Sequence, residues 1–510
     1  MKTSISPTSA VSLTAICAIS AVAFGAPLRY AEDRAPSIVN PVFATTMSEA
    51  RINELVFEGL FTDDQELRSK GALASSFQLA ADRKSMTVDL RTDVTWHDGE
   101  AFTSKDVVFT VNAMKDAGTA STESGRVAWI ASIAAEGDSR VKINFTSEQW
   151  APDEKLHFKI LPAHKFTSTT IKRTDPFRTQ PVGTGPYQLT SFNGDNSISL
   201  VKYAGWYGTA GLAEVAMREV ADTNYQAKLL MYESLEALVR VLPRDIAALK
   251  ADRRVELYPY QTNSWWYVGF NMKQPRFQDL LVRQAIHRMV DAKGLLEPVG
   301  TGDLVTGPFV PSSPFYNHDV LPLPADPNAS KTLLESAGYT LQGRQWMDKT
   351  GQPLKIRLTA PEGSDVAQDV VINLQSQLQL QGLSVEPEFL GSAEWKQRIW
   401  KDRDFDLIVS QWSFDRNEDI YEQFHSKGTR NFTSYNSPEV DGLLDQARTA
   451  PDPQQKRALL RQAHATIARE DPMVFLWTLD SYSALSTKVK NVVIHPFYFF
   501  TWANEWSVAQ

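Results

Sequence analysis

Cysteine is almost missing from this chain: of 510 residues, one is Cys, at position 17. It falls in residues 1–25, where Lys2 supplies a positive charge and residues 11–24 are apolar and charge-free. That is the pattern of an export signal, and Ala23 and Gly25 are small residues placed for cleavage before Ala26. Without that segment the chain has no cysteine at all, which excludes disulfides and thiolate metal sites and leaves the core to hold the fold. A lipid anchor on Cys17 is the competing reading, but Thr14 and Ile16 replace the Leu and the small residue usual before a lipidated Cys. The apolar run is also shorter than the roughly 20 residues that span a bilayer. We therefore expect a soluble exported protein.

Other absences narrow the function. Basic charge is outweighed, with 52 Lys and Arg against 60 Asp and Glu, a net of −8 at pH 7, which argues against nucleic acid or an anionic membrane surface as partner. No run of five like charges, low-complexity tract or fixed-period repeat occurs. The eight histidines are dispersed with no close pair, so neither a metal site nor a cofactor is expected. No G-x-S-x-G or H-E-x-x-H stretch is found, so an exported hydrolase would lack a visible nucleophile and base, and no acid pair marks a glycosidase. A chaperone-like role is a third reading, and it would predict binding to unfolded proteins.

What is present is core. Hydrophobic residues make up 43% of the chain, enough for two or three domains. Residues 85–112 hold the most compact local signal. Met86, Val88 and Leu90 alternate with Thr87, Asp89 and Arg91, the period of a half-buried strand. Asp98-Gly99 is a turn dipeptide. Thr103 stands three residues before Asp106, the spacing of a capping box, and Val107, Val108, Val111 and Met114 then share a helix face. Further on, residues 354–410 alternate strands with helices, including one helix over 365–381 with Val366, Val370, Leu374 and Leu378 in register and Gly382 as its stop. Such alternation implies a mostly parallel sheet whose carboxyl edge binds ligands. Residues 307–327 are Pro-rich and read as a surface connection. Gly183-Thr184-Gly185 is no dinucleotide loop, because Gln188 stands where its third Gly would be.

The wording L-R-x-x-x-x-W-H-D-G-x-x-F-T-x-x-D-V, at residues 90–107, resembles the signature of the family 5 extracytoplasmic solute-binding proteins of ABC importers. Its His97, Asp98 and Phe102 read as turn and packing residues. Other landmarks follow in order: I-L-P-x-H at 160–164, with His164 read as structural; G-T-G at 183–185, whose glycines serve backbone turns; and a dense match at 265–292, where Arg283 and Asp279 read as a pair.

The resemblance implies a bilobal periplasmic-binding-protein fold of the α/β class, with two hinged α/β lobes and a small extra α/β insert. Its divisions would be a signal at 1–25, the first lobe at 26–56, 184–268 and 471–510, the insert at 57–183, and the second lobe at 269–470. It implies a monomer that delivers a small ligand to permease subunits, with short peptides the leading ligand and an opine, oligosaccharide, nickel chelate or haem as alternatives. It also supplies site residues. The N-P-x-x-x-T-T loop would bring Thr45, Thr46 and Met47 to the ligand cleft, or simply cap a helix. Residues 412–419 match W-x-x-D-x-x-[DE]-P with Asp419 in place of Pro, so Asp415 would accept a peptide's ammonium between Trp412, Phe414 and Glu418, and Arg416 could meet its carboxylate. Trp265, Trp266 and Tyr267 lie on a strand and must alternate faces, so at most two can line one surface.

Overall fold

The computed structural model describes residues 26–193, 196–261, 263–414, 418–450 and 452–509. Two larger sheets and one smaller sheet organise them. The first has seven strands in the order Val255–Gln261, Asp480–Ser486, Ala237–Leu238, Leu28–Glu32, Glu214–Glu219, Ser197–Lys202, Tyr187–Asn193. Leu28–Glu32 pairs in parallel with both its neighbours, and the outer pairings are antiparallel. The second has five strands in the order Ser384–Leu390, Lys355–Pro361, Leu407–Ser413, Ser264–Phe270, Met473–Phe475. Its first three are parallel, as the alternation of strands and helices predicts, while Ser264–Phe270 runs antiparallel to both its neighbours. The small sheet is antiparallel and holds Ala74–Leu79, Ser85–Leu90, Arg140–Phe145 and Ile130–Ala135.

Sheet membership moves two of the expected boundaries. The strand Ser264–Phe270 lies wholly in the five-stranded sheet, so the chain crosses between lobes just before Ser264 rather than at 268/269. Met473–Phe475 is also in that sheet, and the return to the first lobe comes by Asp480 rather than at 471. The physical reason is that a strand belongs to whichever sheet satisfies its backbone hydrogen bonds, and those partners are distant in sequence. The insert shares one continuous core with the first lobe, in which Val56, Phe57, Val88, Ile143 and Leu200 are all buried. The second lobe has a core on each face of its sheet, Trp266, Val268 and Phe270 on one and Trp265, Tyr267 and Ile408 on the other, as the two-residue period of a strand dictates.

Local signals are realised as elements. Ser85–Leu90 buries every second side chain. Helix Ser104–Lys115 starts on a capping box between Thr103 and Asp106 and buries Val107, Val111 and Met114. Helix Asp365–Leu380 buries Val370, Leu374 and Leu378, and Gly382 ends the segment at a φ of +93°, a conformation costly for any residue with a Cβ. Residues 396–402 widen into a π-helical turn, Lys396–Asp402.

The signature stretch is a joint between insert and first lobe. The His97 amide donates to Gly183 O at 2.9 Å, the Gly183 amide donates to His97 Nδ1 at 3.2 Å, and His97 Nε2 reaches Gly185 O at 2.9 Å. Burial lowers the His97 pKa to about 4, so the ring is neutral. Burial works against ionisation of Asp98, but hydrogen bonds from Lys165 and His164 outweigh it and hold the carboxyl at about 2. Gly183 and Gly185 are required by close approach rather than by turn geometry: a Cβ on Gly183 would sit 1.8 Å from Val56 O, and one on Gly185 2.6 Å from Leu55 O. At the same joint Glu58 accepts hydrogen bonds from Tyr207 Oη at 2.5 Å and Trp206 Nε1 at 3.3 Å. Its other oxygen is buried, and burial raises its pKa to about 7. Arg283 is structural, but its partners are backbone carbonyls of Phe277, Gln278, Glu470 and Asp471 at 2.6–3.1 Å. Asp279 instead caps its helix through the Leu281 amide. The guanidinium fork can answer several carbonyls at once, which a one-to-one ion pair would not.

Candidate functional site

Strand Leu407–Ser413 delivers its last residues to the interlobe connection because Ser413 pairs with Ser264, the first residue after the crossing. The chain beyond it is clamped there at both ends. The Phe414 amide donates to Asn263 O at 2.8 Å. Glu418 Oε1 accepts from Asn263 Nδ2 at 2.6 Å and Oε2 from Ser313 Oγ at 2.6 Å. Glu418 is buried, with a φ of +47°, a conformation that the surrounding structure must hold in place for a residue with a side chain. One carboxylate thus ties together the crossing strand, the Pro-rich connection and the loop that follows Trp412. Asp415 and Arg416 fall between the two clamps in sequence and lie outside the described residues.

The rings around this loop form a continuous aromatic cluster. Phe414 lies 6.3 Å from Trp265, 6.5 Å from Phe309 and 6.3 Å from Trp412 between ring centres, spacings within the range of attractive aromatic pairs. Trp412 is half-buried. With the Gln423 amide turned so that its oxygen accepts from Trp412 Nε1 at 2.7 Å, its nitrogen donates to Ile420 O, so the indole is held by the protein itself. Trp412 continues to Phe432, which stacks on Trp400 at 5.8 Å and 2°. Arg403 and Arg430 stand over Phe432 and Trp412 at 4.8 and 5.9 Å.

Trp265, Trp266 and Tyr267 are all buried. Trp265 and Tyr267 face the core beside Phe414, and Trp265 Nε1 donates to Pro308 O at 3.0 Å. Trp266 faces the opposite core. Burial pushes the Tyr267 hydroxyl up to about 12. Thr45, Thr46 and Met47 stand on the first lobe at the start of helix Met47–Val56. Thr46 is its N-cap, accepting from the Glu49 amide at 3.2 Å, while Glu49 Oε2 accepts the Thr45 and Thr46 amides. Met47 is 55% exposed. Across from the loop, Lys155 of the insert is lowered in pKa first by burial and then by Lys456, and it also feels Asp419 and Arg448. Asp419 and Arg448 pair at 2.7 Å, so the insert faces the far end of the 412–419 segment.

Sequence reasoning missed Asn263, Ser313, Phe309 and Gln423. Asn263 carries a weak signal, a polar residue just before a run of aromatic strand residues. The others are joined to the loop only by the fold.

Comparison with known proteins follows the same lines. The model for bacterial extracellular solute-binding proteins, family 5 Middle, matches residues 69–431. The oligopeptide-binding protein AppA of Bacillus subtilis is 24% identical over 480 residues, covering 90% of this chain and 88% of AppA. Heme-binding protein A of Haemophilus influenzae is 24% identical over 459 residues, covering 84% of this chain and 82% of the relative. Among solved structures, Bacillus subtilis AppA in complex with a nonapeptide matches the fold with a TM-score of 0.77 at 23% identity, over 96% of this chain and 99% of that one. A family match over that span, on two lobes with an insert, shows that the chain belongs to the bacterial extracellular solute-binding proteins, family 5.

Proposed function

We propose that this protein is the capture component of an ABC importer. It works as a monomer in the periplasm, closes its two lobes over a short peptide by hinge motion, and hands the peptide to permease subunits in the inner membrane without chemical change. Oligopeptide binding is the property for which AppA is named. The observation that carries the reading is the use to which Glu418 is put. Of the two acids in the W-x-x-D-x-x-E stretch, Glu418 is consumed inside the protein by Asn263 and Ser313, and we assign to Asp415 the ammonium-accepting role that the family resemblance implies. A carboxylate meeting an ammonium in a closed cleft makes a charge-assisted contact, and removing either partner strands a buried charge. Calorimetric titration with short peptides and their N-acetylated counterparts tests this. Free-amine peptides should bind saturably, and acetylation or Asp415→Ala should each weaken binding by about a hundredfold or more, the equivalent of about 3–5 kcal/mol. Equal binding of acetylated and free peptides would overturn the ammonium anchor.

A second reading rests on Trp400 and Phe432. Their parallel rings, with Trp400 46% exposed, Lys396 over Trp400 and Arg403 over Phe432, make a cationic platform suited to a planar ligand bearing carboxylates, the chemistry of a haem or an aromatic opine. In the same titration that ligand class would bind independently of Asp415.

A further inference from the structure

Two lysines, one from the insert and one from the second lobe, act on each other where these two parts of the molecule approach beyond Glu418. Lys155 ends a short 3-10 turn of the insert, Asp153–Lys155. Its Nζ donates to Gln149 Oε1 at 2.6 Å and stands 5.4 Å from the centre of the Trp129 ring. Lys456 lies in the first turn of helix Pro453–Glu470, with Nζ 5.5 Å over the Phe315 ring. Phe315 is 5.6 Å from Phe309, and Phe309 is 6.5 Å from Phe414. One row of rings therefore leads from the candidate cleft loop to this lysine.

The charges gathered here leave the two lysines short of an anion. Burial lowers the Lys155 pKa most and Lys456 next, and the opposing pull of Asp419 is smaller than either; Arg448 lowers it further and Glu154 raises it. Three cations, Lys155, Lys456 and Arg448, thus stand against two acids, Asp419 and Glu154. Asp419 is already engaged on its own lobe: one oxygen accepts the Tyr421 amide at 3.0 Å, and the other pairs with Arg448 at 2.7 Å. The Trp129 and Phe315 rings and the Gln149 amide position the two ammonium groups without cancelling their charge. An ammonium has three protons to donate, so the one bond to Gln149 leaves Lys155 with donors to spare. Closing the lobes brings like charges together, which is unfavourable. A carboxylate placed between them converts that repulsion into two charge-assisted contacts.

We propose that Lys155 and Lys456 form a carboxylate site at this end of the cleft, gripping a carboxylate of the captured peptide from opposite sides. The proposal rests on the reading of the cleft as a peptide site and narrows the ligand class to peptides that carry an acid there, at the C-terminus or in a side chain. Because the two lysines belong to parts that move relative to each other, only the closed state presents both. A ligand that contacts both therefore favours closure through its differential affinity for that state.

The probe is a pooled library of tetrapeptides, made once as free acids and once as C-terminal amides, offered to the full-length mature protein, with the captured peptides identified by mass spectrometry. The expected result is enrichment of acids over amides by about tenfold or more. Enrichment of Asp and Glu side chains in both pools would support the site equally and place the carboxylate in a side chain. Lys155→Gln and Lys456→Gln, combined in one variant, should erase the preference while amides of neutral peptides are captured as before. Each single substitution should reduce it partway, which keeps the test decisive if the double variant fails to fold. High salt should narrow the preference in the parent protein. Equal capture of acids and amides without Asp or Glu enrichment, or a preference that survives both substitutions, would overturn the proposal. Capture of no peptide from either pool would instead overturn the peptide reading on which it rests.

Discussion

Glu58 sets a pH dependence whose size and sign follow from its surroundings. Its folded pKa is raised from 4.5 to about 7, mainly by burial, against the opposing hydrogen bonds from Tyr207 and Trp206. Below pH 4.5 the carboxyl is protonated in folded and unfolded chains alike, and no stability is lost. As the pH rises from 4.5 through 7, the unfolded chain releases its proton first, so stability falls across that window and levels off above it. At about 1.4 kcal/mol per unit, the rise is worth on the order of 3 kcal/mol. Glu58→Gln keeps an acceptor for the Tyr207 hydroxyl and carries no titrating proton. Urea denaturation of both proteins from pH 5 to pH 8 isolates the effect, because the other groups titrate equally in each. The variant should gain on the parent by about 2–3 kcal/mol between those limits. Parallel stability profiles would refute the assignment of a buried, protonated Glu58 at the joint between insert and first lobe.

Other perturbations have equally definite outcomes. Gly183→Ala drives a Cβ toward the Val56 carbonyl, nominally 1.8 Å away, and should cost at least about 1–3 kcal/mol in thermal or chemical denaturation. Ser313→Ala removes a hydrogen bond to a buried carboxyl oxygen of Glu418. It should cost about 1.5–3 kcal/mol of stability and weaken cleft binding, measured by calorimetry, because the clamp on the loop after Trp412 is loosened. Thr46→Ala removes the N-cap of helix Met47–Val56 and should lower stability by about 1 kcal/mol. If Thr46 only caps, ligand affinity is unchanged, and a matching loss of affinity would make it a ligand contact instead.

The parts legible in the sequence are those encoded within a few residues. The period-two strand Ser85–Leu90, the Thr103 and Asp106 box, the i, i+4 stripe of helix Asp365–Leu380 and the Gly382 stop are each written locally, and each forms as written. The alternation of faces along Trp265, Trp266 and Tyr267 also follows from strand geometry, and the three side chains divide between two cores. The illegible parts are set by distant partners. Asn263 meets Glu418 across 155 positions and Arg283 meets Asp471 across 188, so no window on the sequence couples them. The two crossings between lobes were misplaced for the same reason, because a strand's sheet is chosen by neighbours far along the chain. Gly183 and Gly185 read as turn residues, and only the approach of the Leu55–Val56 backbone reveals the steric need.

The most direct test of the central claim is native mass spectrometry of the protein purified from the periplasm, followed by identification of what it releases on denaturation. Solute capture with peptide as the ligand predicts a series of adducts that resolve into short peptides of mixed sequence with free amino termini, lost in Asp415→Ala. A single released species without a free amine, or adducts unaffected by Asp415→Ala, would contradict it and transfer the site to the Trp400 and Phe432 platform.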